Sequence, residues 1–166
     1  MKSKNTFTII NFIRDSFERY GYFMIYKNVK NIKKDLKMTL NKDRYEHTVG
    51  VEYMAVALAM KYGANIKEAE IAGLLHDCAK CIPDERILKK CIKYNIKITD
   101  AERQNPYLLH AKLGAFYVTH KYYITDKNVI SAVLNHTTGA PAMDLLDKII
   151  FVADYIEPRR YKAVNL

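Results

Sequence analysis

The sequence predicts an all-α protein. Apolar residues recur at the three- and four-residue spacing of amphipathic helices along most of the chain, and no segment shows the alternation that is typical of a strand. Only 6 Gly and 4 Pro interrupt the 166 residues, so long helices are possible. Apolar residues make up 49% of the chain, which is enough for a packed core and excludes intrinsic disorder.

The first helices are predicted from the positions of apolar side chains and of breaking residues. A helix over Val29–Leu40 follows a Lys-rich stretch, and a longer one over Arg44–Tyr62 stops at Gly63. The third is predicted over Ile66–Lys80, with a turn at Pro83 behind it. We expect residues 1–41 to form a helical extension of unknown role and residues 42–166 to form a single domain.

Capping residues mark the later helices. Thr99 and Glu102 have the spacing of a capping box, and Asp126 can cap a helix that ends near His136. Pro158 stops the last helix. The other helices in this half of the chain are predicted over Asp84–Tyr94, Tyr107–Tyr122 and Met143–Glu157.

The charge and the cysteines limit the function classes. A formal net charge of +9 favours an anionic partner, such as nucleic acid, a membrane surface or a phosphate-rich small molecule. No apolar run reaches the roughly 18 residues of a membrane helix, and charged residues interrupt the N-terminus where a signal peptide would be apolar. The sequence therefore predicts a cytoplasmic protein. Cys78 and Cys81 lack the second ligand pair of a structural zinc site, so we expect reduced thiols.

Histidines and aspartates at apolar positions form the most informative pattern. An adjacent His-Asp pair ends the apolar run of the third helix, and a lone Asp lies within the apolar run of the last one. A buried, unpaired carboxylate is costly unless a proton or a cation neutralises it. Each His alone could be a hydrogen-bonded core residue, but the whole set favours a metal site. The candidate ligands are His47, His76, Asp77, His110, His136 and Asp154.

The ligand types indicate the metal class. Imidazole and carboxylate groups suit Fe, Mn, Zn or Co, and six side chains exceed what one catalytic ion with an open position needs. They suit two ions that share a bridging carboxylate, an arrangement that catalyses displacement at phosphorus.

Five local strings, in this order, resemble the HD-domain metal-dependent phosphohydrolases, and within them the YqeK-like symmetrical bis(5′-nucleosyl)-tetraphosphatases. The strings together extend over about residues 42–160, and they are Arg44-Tyr-Glu-His-Thr-Val-Gly-Val51, Leu75-His-Asp-Cys-Ala-Lys80, Leu109-His110, His136-Thr-Thr-Gly139 and Asp147-Lys-Ile-Ile-Phe-Val-Ala-Asp-Tyr-Ile-Glu-Pro158. The resemblance implies an HD-domain helical bundle with a dinuclear metal site in its core. It also implies hydrolysis of diadenosine tetraphosphate to two ADP by a metal-bound hydroxide, with Fe as the favoured metal.

The resemblance also assigns the ligands. His47, His76, Asp77 and Asp154 would hold one ion and His110 and His136 the other, with Asp77 as the bridge and as a catalytic residue. His110 would also face the substrate.

Three further residues are candidates for substrate contacts. Lys80 lies one predicted helical turn beyond the His-Asp pair, so we expect it to contact phosphate in a catalytic role; the alternative is a solvated lysine at a helix end. Thr137 follows a ligand directly and could donate a hydrogen bond to phosphate or base, or could simply end a helix. Arg160 matches the Arg that closes the Glu-Pro-x-Arg string of the family and is a candidate phosphate clamp.

Two other functions stay open at this point. One is an HD phosphohydrolase of nucleoside mono- or triphosphates or of guanosine tetraphosphate. The other is a non-catalytic nucleotide- or RNA-binding module, against which the complete ligand set argues. We therefore expect a small nucleotide as the partner rather than a membrane or nucleic acid, with a homodimer left open.

Overall fold

The structure, a computed structural model, describes residues 29–160. Within this range all the regular structure is helical, which confirms the predicted fold class. The predicted extension lies mostly outside the described residues, and only its last part can be followed, as helical residues 29–39 (α1). The helices that follow are α2 (Lys42–Tyr62), α3 (Ile66–Leu75), α4 (Asp84–Lys93), α5 (Asp100–Gln104), α6 (Leu109–His120), α7 (Lys127–Asn135) and α8 (Leu145–Ile156).

The predicted capping residues begin and end these helices. Gly63 adopts φ 74° and ends α2. The side chain of Thr99 accepts from the backbone N–H of Glu102, whose carboxylate accepts in return from Thr99, so the capping box is confirmed. The Asp126 carboxylate accepts from the first backbone N–H groups of α7, as expected.

Two predicted helix ends were wrong. Helix α3 stops at Leu75, and turns follow it as far as Ile82, so Lys80 lies on a turn and not on a helix. The apolar pattern runs on past Leu75 because residues 76–79 are buried as well. Helix α6 ends at His120, two residues early, and Tyr123 adopts the left-handed φ of 57° soon after.

The core is formed by five helices that meet around the His-Asp pair. Helix α2 packs against α3 and α8, α3 packs against α7 and α8, and α7 packs against α6 and α8. The backbones of α2 and α3 approach closely, since a Cβ on Gly73 would stand 2.8 Å from the Glu52 Cα. Helix α4 packs on α6 through a second cluster that includes Ile87, Cys91 and Leu113.

One compact unit, beginning at Asp35, contains all these contacts. The domain division between residues 41 and 42 stays a prediction. Among residues 29–160, no helix has both the length and the apolar character needed to cross a bilayer.

Candidate metal centre

The six predicted ligands come together in the middle of the helical core, although they derive from five separate helices. His47 lies in α2 and Asp154 in α8, and His110 lies near the start of α6. His76 and His136 are the residues that follow α3 and α7, and Asp77 continues from His76 into the turn. All six are buried, and they form two groups of three.

The first group consists of His47, His76 and Asp154. The Nε2 atom of His47 lies 3.0 Å from Oδ1 of Asp154, and the Nε2 atom of His76 lies 3.7 Å from the same oxygen. These three side chains direct their donor atoms at one point, with spacings that a metal ion can bridge.

The second group consists of His110, His136 and Asp77. The Nε2 atoms of the two histidines are 3.2 Å apart, and they lie 3.3 and 3.5 Å from Oδ1 of Asp77. The other oxygen of Asp77, Oδ2, lies 3.5 Å from His76 Nε2 in the first group. Asp77 therefore directs one oxygen towards each group, as a bridging carboxylate would.

Each histidine is oriented by a hydrogen bond from its other ring nitrogen. The Nδ1 atoms of His76, His110 and His136 bond to the carbonyl oxygens three residues earlier in the chain, at 2.7, 2.5 and 2.8 Å. His47 Nδ1 bonds instead to the Glu157 carboxylate at 3.1 Å. Because carbonyl and carboxylate oxygens only accept, Nδ1 of each ring is the donor in these bonds, and Nε2 faces the site. There Nε2 can bind a metal ion or, in the metal-free protein, carry a proton towards the aspartates.

The resulting set of donor atoms fits a cation. His76 is fully buried, its Nε2 has no hydrogen-bond partner, and the nearest charged atoms are the oxygens of Asp77 and Asp154. A buried lone pair that faces carboxylate oxygens is unfavourable unless a positive charge lies between them. A divalent ion supplies that charge, so this part of the chain fits the metal that the ligand types suggest.

The protonation preferences of the aspartates agree with this interpretation. Burial would raise the pKa of Asp77, but the charge of His76 and the hydrogen bonds from His110 and His136 hold that pKa well below its ordinary value. Burial also opposes ionisation of Asp154, yet the hydrogen bond from His47 and the charge of His76 lower its pKa to about 2. Both carboxylates are therefore ionised at neutral pH and available as metal ligands.

A cleft of about 240 Å³ opens onto the two groups. Three cations line it. Arg44 bonds Asp77 Oδ2 at 2.7 Å, Arg160 bonds Asp154 Oδ2 at 3.0 Å, and Lys80 Nζ lies 3.3 Å from both ring nitrogens of His110. Aromatic side chains of α8, Phe151 and Tyr155, also line the cleft. The cleft thus combines three cationic side chains with an aromatic face, which suits the phosphates and the base of a nucleotide.

The four predicted substrate contacts, Lys80, His110, Thr137 and Arg160, all lie at this cleft. Lys80 reaches it from a turn instead of a helix, and Arg160 reaches it from just beyond α8. The Thr137 hydroxyl lies 3.0 Å from His110 Nε2 and 2.9 Å from His136 Nε2, so it contacts the second group directly. Their contact with a substrate stays a prediction.

Sequence reasoning missed Arg44 and Glu157. Both lie within strings that carry the family resemblance, but neither was assigned a role. Arg44 lies three residues before His47, on the same face of α2, and Glu157 lies three residues after Asp154. This spacing was the available signal for Arg44, because residues three apart on a helix are neighbours. Glu157 lies beyond the end of α8, and its contact with His47 of α2 had no such local signal.

Comparisons with known proteins agree with this geometry. The HD domain family model matches residues 44–159. The chain is 44% identical over 125 residues to a symmetrical bis(5′-nucleosyl)-tetraphosphatase of Halalkalibacterium halodurans, covering 75% of this chain and 66% of the relative. It is 43% identical over 125 residues to the protein of the same name in Bacillus subtilis, covering 75% of this chain and 67% of the relative. The chain thus spans about two thirds of the length of these relatives.

A solved structure is also similar to this chain. It comes from Clostridium acetobutylicum and is described as a predicted HD superfamily hydrolase involved in NAD metabolism. The TM-score is 0.78 at 42% sequence identity, with 82% of this chain and 72% of that one covered.

Proposed function

This chain belongs to the HD domain family, and on that premise we propose that it is a metal-dependent hydrolase that cleaves dinucleoside tetraphosphates symmetrically, diadenosine tetraphosphate into two ADP. The observation that carries the proposal is the pair of His/Asp groups around Asp77, beneath a cleft lined by three cations. The relatives in H. halodurans and B. subtilis, which are named for this reaction, support the substrate.

We propose two divalent ions, with Fe favoured over Mn, Co or Zn. His47, His76 and Asp154 would hold one ion and His110 and His136 the other, with Asp77 between them. The grouping of the donor atoms of these six side chains into two sets of three supports this assignment. When bound, such ions supply an acidified water and offset the charge of phosphoryl oxygens.

The phosphate chain would lie along the cations of the cleft. Arg44 and Arg160 each donate to a carboxylate oxygen of a ligand group and both line the cleft, so their guanidinium groups could also donate to phosphate oxygens there. Lys80 would contact the phosphoryl oxygens beside His110, and the Thr137 hydroxyl would donate to an oxygen or to the base. Three cations match a tetraphosphate, which carries several negative charges, better than they match a monophosphate.

The bases would lie against the aromatic face of the cleft. Tyr155 is 46% exposed at the rim, and Phe151 lies one helical turn before it on α8. Stacking on such rings is favourable for any base, so this face would bind a nucleoside without strong base preference. We further propose a cytoplasmic protein, since its proposed substrate is a nucleotide.

The test is hydrolysis of diadenosine tetraphosphate by protein reconstituted with Fe²⁺ or Mn²⁺, with the products separated by chromatography. ADP as the sole product, lost in Asp77→Ala and retained in Asp84→Asn, would support the proposal. Asp84 is a suitable control because it is exposed at the start of α4. ATP plus AMP would contradict symmetrical cleavage. Turnover of nucleoside triphosphates or guanosine tetraphosphate alone would contradict the substrate.

A further inference from the structure

His47 differs from the other three candidate ligand histidines in how its ring is held. His76 and His136 follow the last residues of α3 and α7, where the backbone carbonyls have no partner within the helix, and His110 uses the carbonyl of Tyr107 in the turn before α6. His47 lies inside α2, where the helix uses the carbonyls itself. Its Nδ1 therefore needs an acceptor from another element.

Glu157 supplies that acceptor. Its carboxylate oxygen Oε2 lies 3.1 Å from His47 Nδ1, and the residue is 2% exposed. Glu157 follows α8 directly, and the turn behind it is closed by a 2.9 Å hydrogen bond from the Arg160 N–H to the Glu157 carbonyl. Pro158 favours the extended backbone that Glu157 adopts, with ψ 125°. The carboxylate is thus held at a fixed place between α8 and α2.

The space for this carboxylate exists because residue 50 is glycine. Gly50 lies one turn beyond His47 on the same face of α2. A Cβ at this position would stand 2.3 Å from Oε1 of Glu157 and 2.7 Å from its Cδ, much closer than non-bonded atoms approach. Any other residue here would displace the carboxylate from His47.

We propose that Glu157 is a positioning residue for the first metal group and that Gly50 is required to admit it. The carboxylate accepts the Nδ1 proton of His47, which keeps the Nε2 lone pair directed at the point shared with His76 and Asp154. A carboxylate behind a ligating imidazole also strengthens that imidazole as a ligand, and removal of such partners weakens metal binding by about 10- to 100-fold. The inference rests on the metal site of the proposed function but not on its substrate.

The experiment is a titration of metal-stripped protein with Mn²⁺, following the free ion by electron paramagnetic resonance. In Glu157→Ala, one of the two Mn²⁺ equivalents should bind about 10- to 100-fold more weakly, while the one at the second group changes little. Glu157→Gln should recover part of the loss, because the amide oxygen can still accept from Nδ1. Glu46→Ala is the matched control: Glu46 precedes His47 directly but pairs with Arg159 at the surface, so its loss should leave both affinities unchanged.

Gly50→Ala tests the same contact from the other side. It should weaken the same equivalent as Glu157→Ala, since the new methyl group displaces the carboxylate. Once Glu157 is shortened, that methyl group has room, so the double variant should bind Mn²⁺ as Glu157→Ala does. Such non-additivity is expected of two residues that act through one contact. Losses that simply multiply in the double variant would overturn the assignment of Gly50.

The outcomes separate this inference from the proposed reaction. Unchanged Mn²⁺ affinity in both Glu157→Ala and Gly50→Ala, with circular dichroism showing folded protein, would overturn the positioning role. Wild-type protein that binds no Mn²⁺ would overturn it together with the metal site. The variants could bind Mn²⁺ more weakly while wild-type protein fails to hydrolyse diadenosine tetraphosphate. That result would support the role of Glu157 and contradict only the proposed substrate.

Discussion

Lys80→Met removes the one lysine among residues 29–160 that lines the cleft, and it keeps a side chain of similar length. The Lys80 Nζ atom lies 3.3 Å from the ring nitrogens of His110, within the second ligand group and close to Asp77. Burial lowers the pKa of Lys80, and the charge of Asp77 opposes that effect. Lys80 is partly buried, so its interaction with a phosphoryl oxygen is stronger than that of a fully solvated lysine.

The size of the effect follows from this position. Two unit charges about 4 Å apart interact by about 4 kcal/mol when the effective dielectric constant is about 20. The loss of one donor to a developing negative charge typically lowers kcat by about 100- to 1,000-fold, or about 2.7–4 kcal/mol. We therefore expect kcat for diadenosine tetraphosphate to fall by that factor in Lys80→Met, with a much smaller change in KM, because the charge on the oxygens grows in the transition state.

The assay is steady-state ADP formation by Mn²⁺-loaded protein, with metal content measured on the same samples. Lys89→Met is the matched control, since it makes the same charge change on the exposed face of α4 and should keep kcat within about twofold of wild type. A kcat for Lys80→Met within threefold of wild type would refute the reasoning. A loss of bound metal that accounts for the fall would mean that Lys80 acts on His110 and not on phosphate.

Three further outcomes are expected in denaturant titrations. Gly73→Ala should cost about 1–3 kcal/mol of unfolding free energy, because its Cβ would stand 2.8 Å from the Glu52 backbone; an unchanged midpoint would contradict this close packing. Asp147→Ala should cost about 1–3 kcal/mol, since its buried carboxylate accepts two hydrogen bonds from α7, whereas Asp144→Ala at the exposed start of α8 should change stability little. The pKa of Asp154 lies at about 2, below its ordinary value of 3.8, so its contribution of about 2 kcal/mol is present above about pH 4 and is lost as the pH falls towards 2. In metal-free protein, the unfolding free energy of Asp154→Asn should therefore fall less steeply between about pH 4 and about pH 2 than that of wild type. An equal fall in both proteins would argue against a lowered pKa at Asp154.

Helix positions were predictable wherever the sequence showed both the apolar spacing of a helix and a capping residue. Gly63, the Thr99 capping box and Asp126 each mark an end that the structure has. The end of α3 was not predictable, because His76 closes the helix without a glycine or proline and the residues after it are just as buried. Apolar periodicity reports burial, and burial continues through this turn.

Roles that depend on a second element were harder to predict. The histidines could be identified as candidate ligands because each shares a helical face with apolar neighbours. The partner of each Nδ1 atom could not, since it depends on whether the nearby carbonyl is free. For His76 and His136 it is free because the helix ends there; for His47 it is not, and the acceptor is Glu157, 110 positions away in the chain.

The placement of Asp77 explains why a His-Asp pair and not a single ligand lies at this turn. His76 follows α3 with helical backbone angles (φ −53°, ψ −44°) and is fixed by the Gly73 carbonyl, so the chain enters Asp77 in a direction that the helix sets. That direction brings one Asp77 oxygen to 3.5 Å from His76 Nε2 and the other to 3.3 Å from His110 Nε2. Because the pair lies at the end of α3, His76 faces the first ligand group while the Asp77 carboxylate faces both groups.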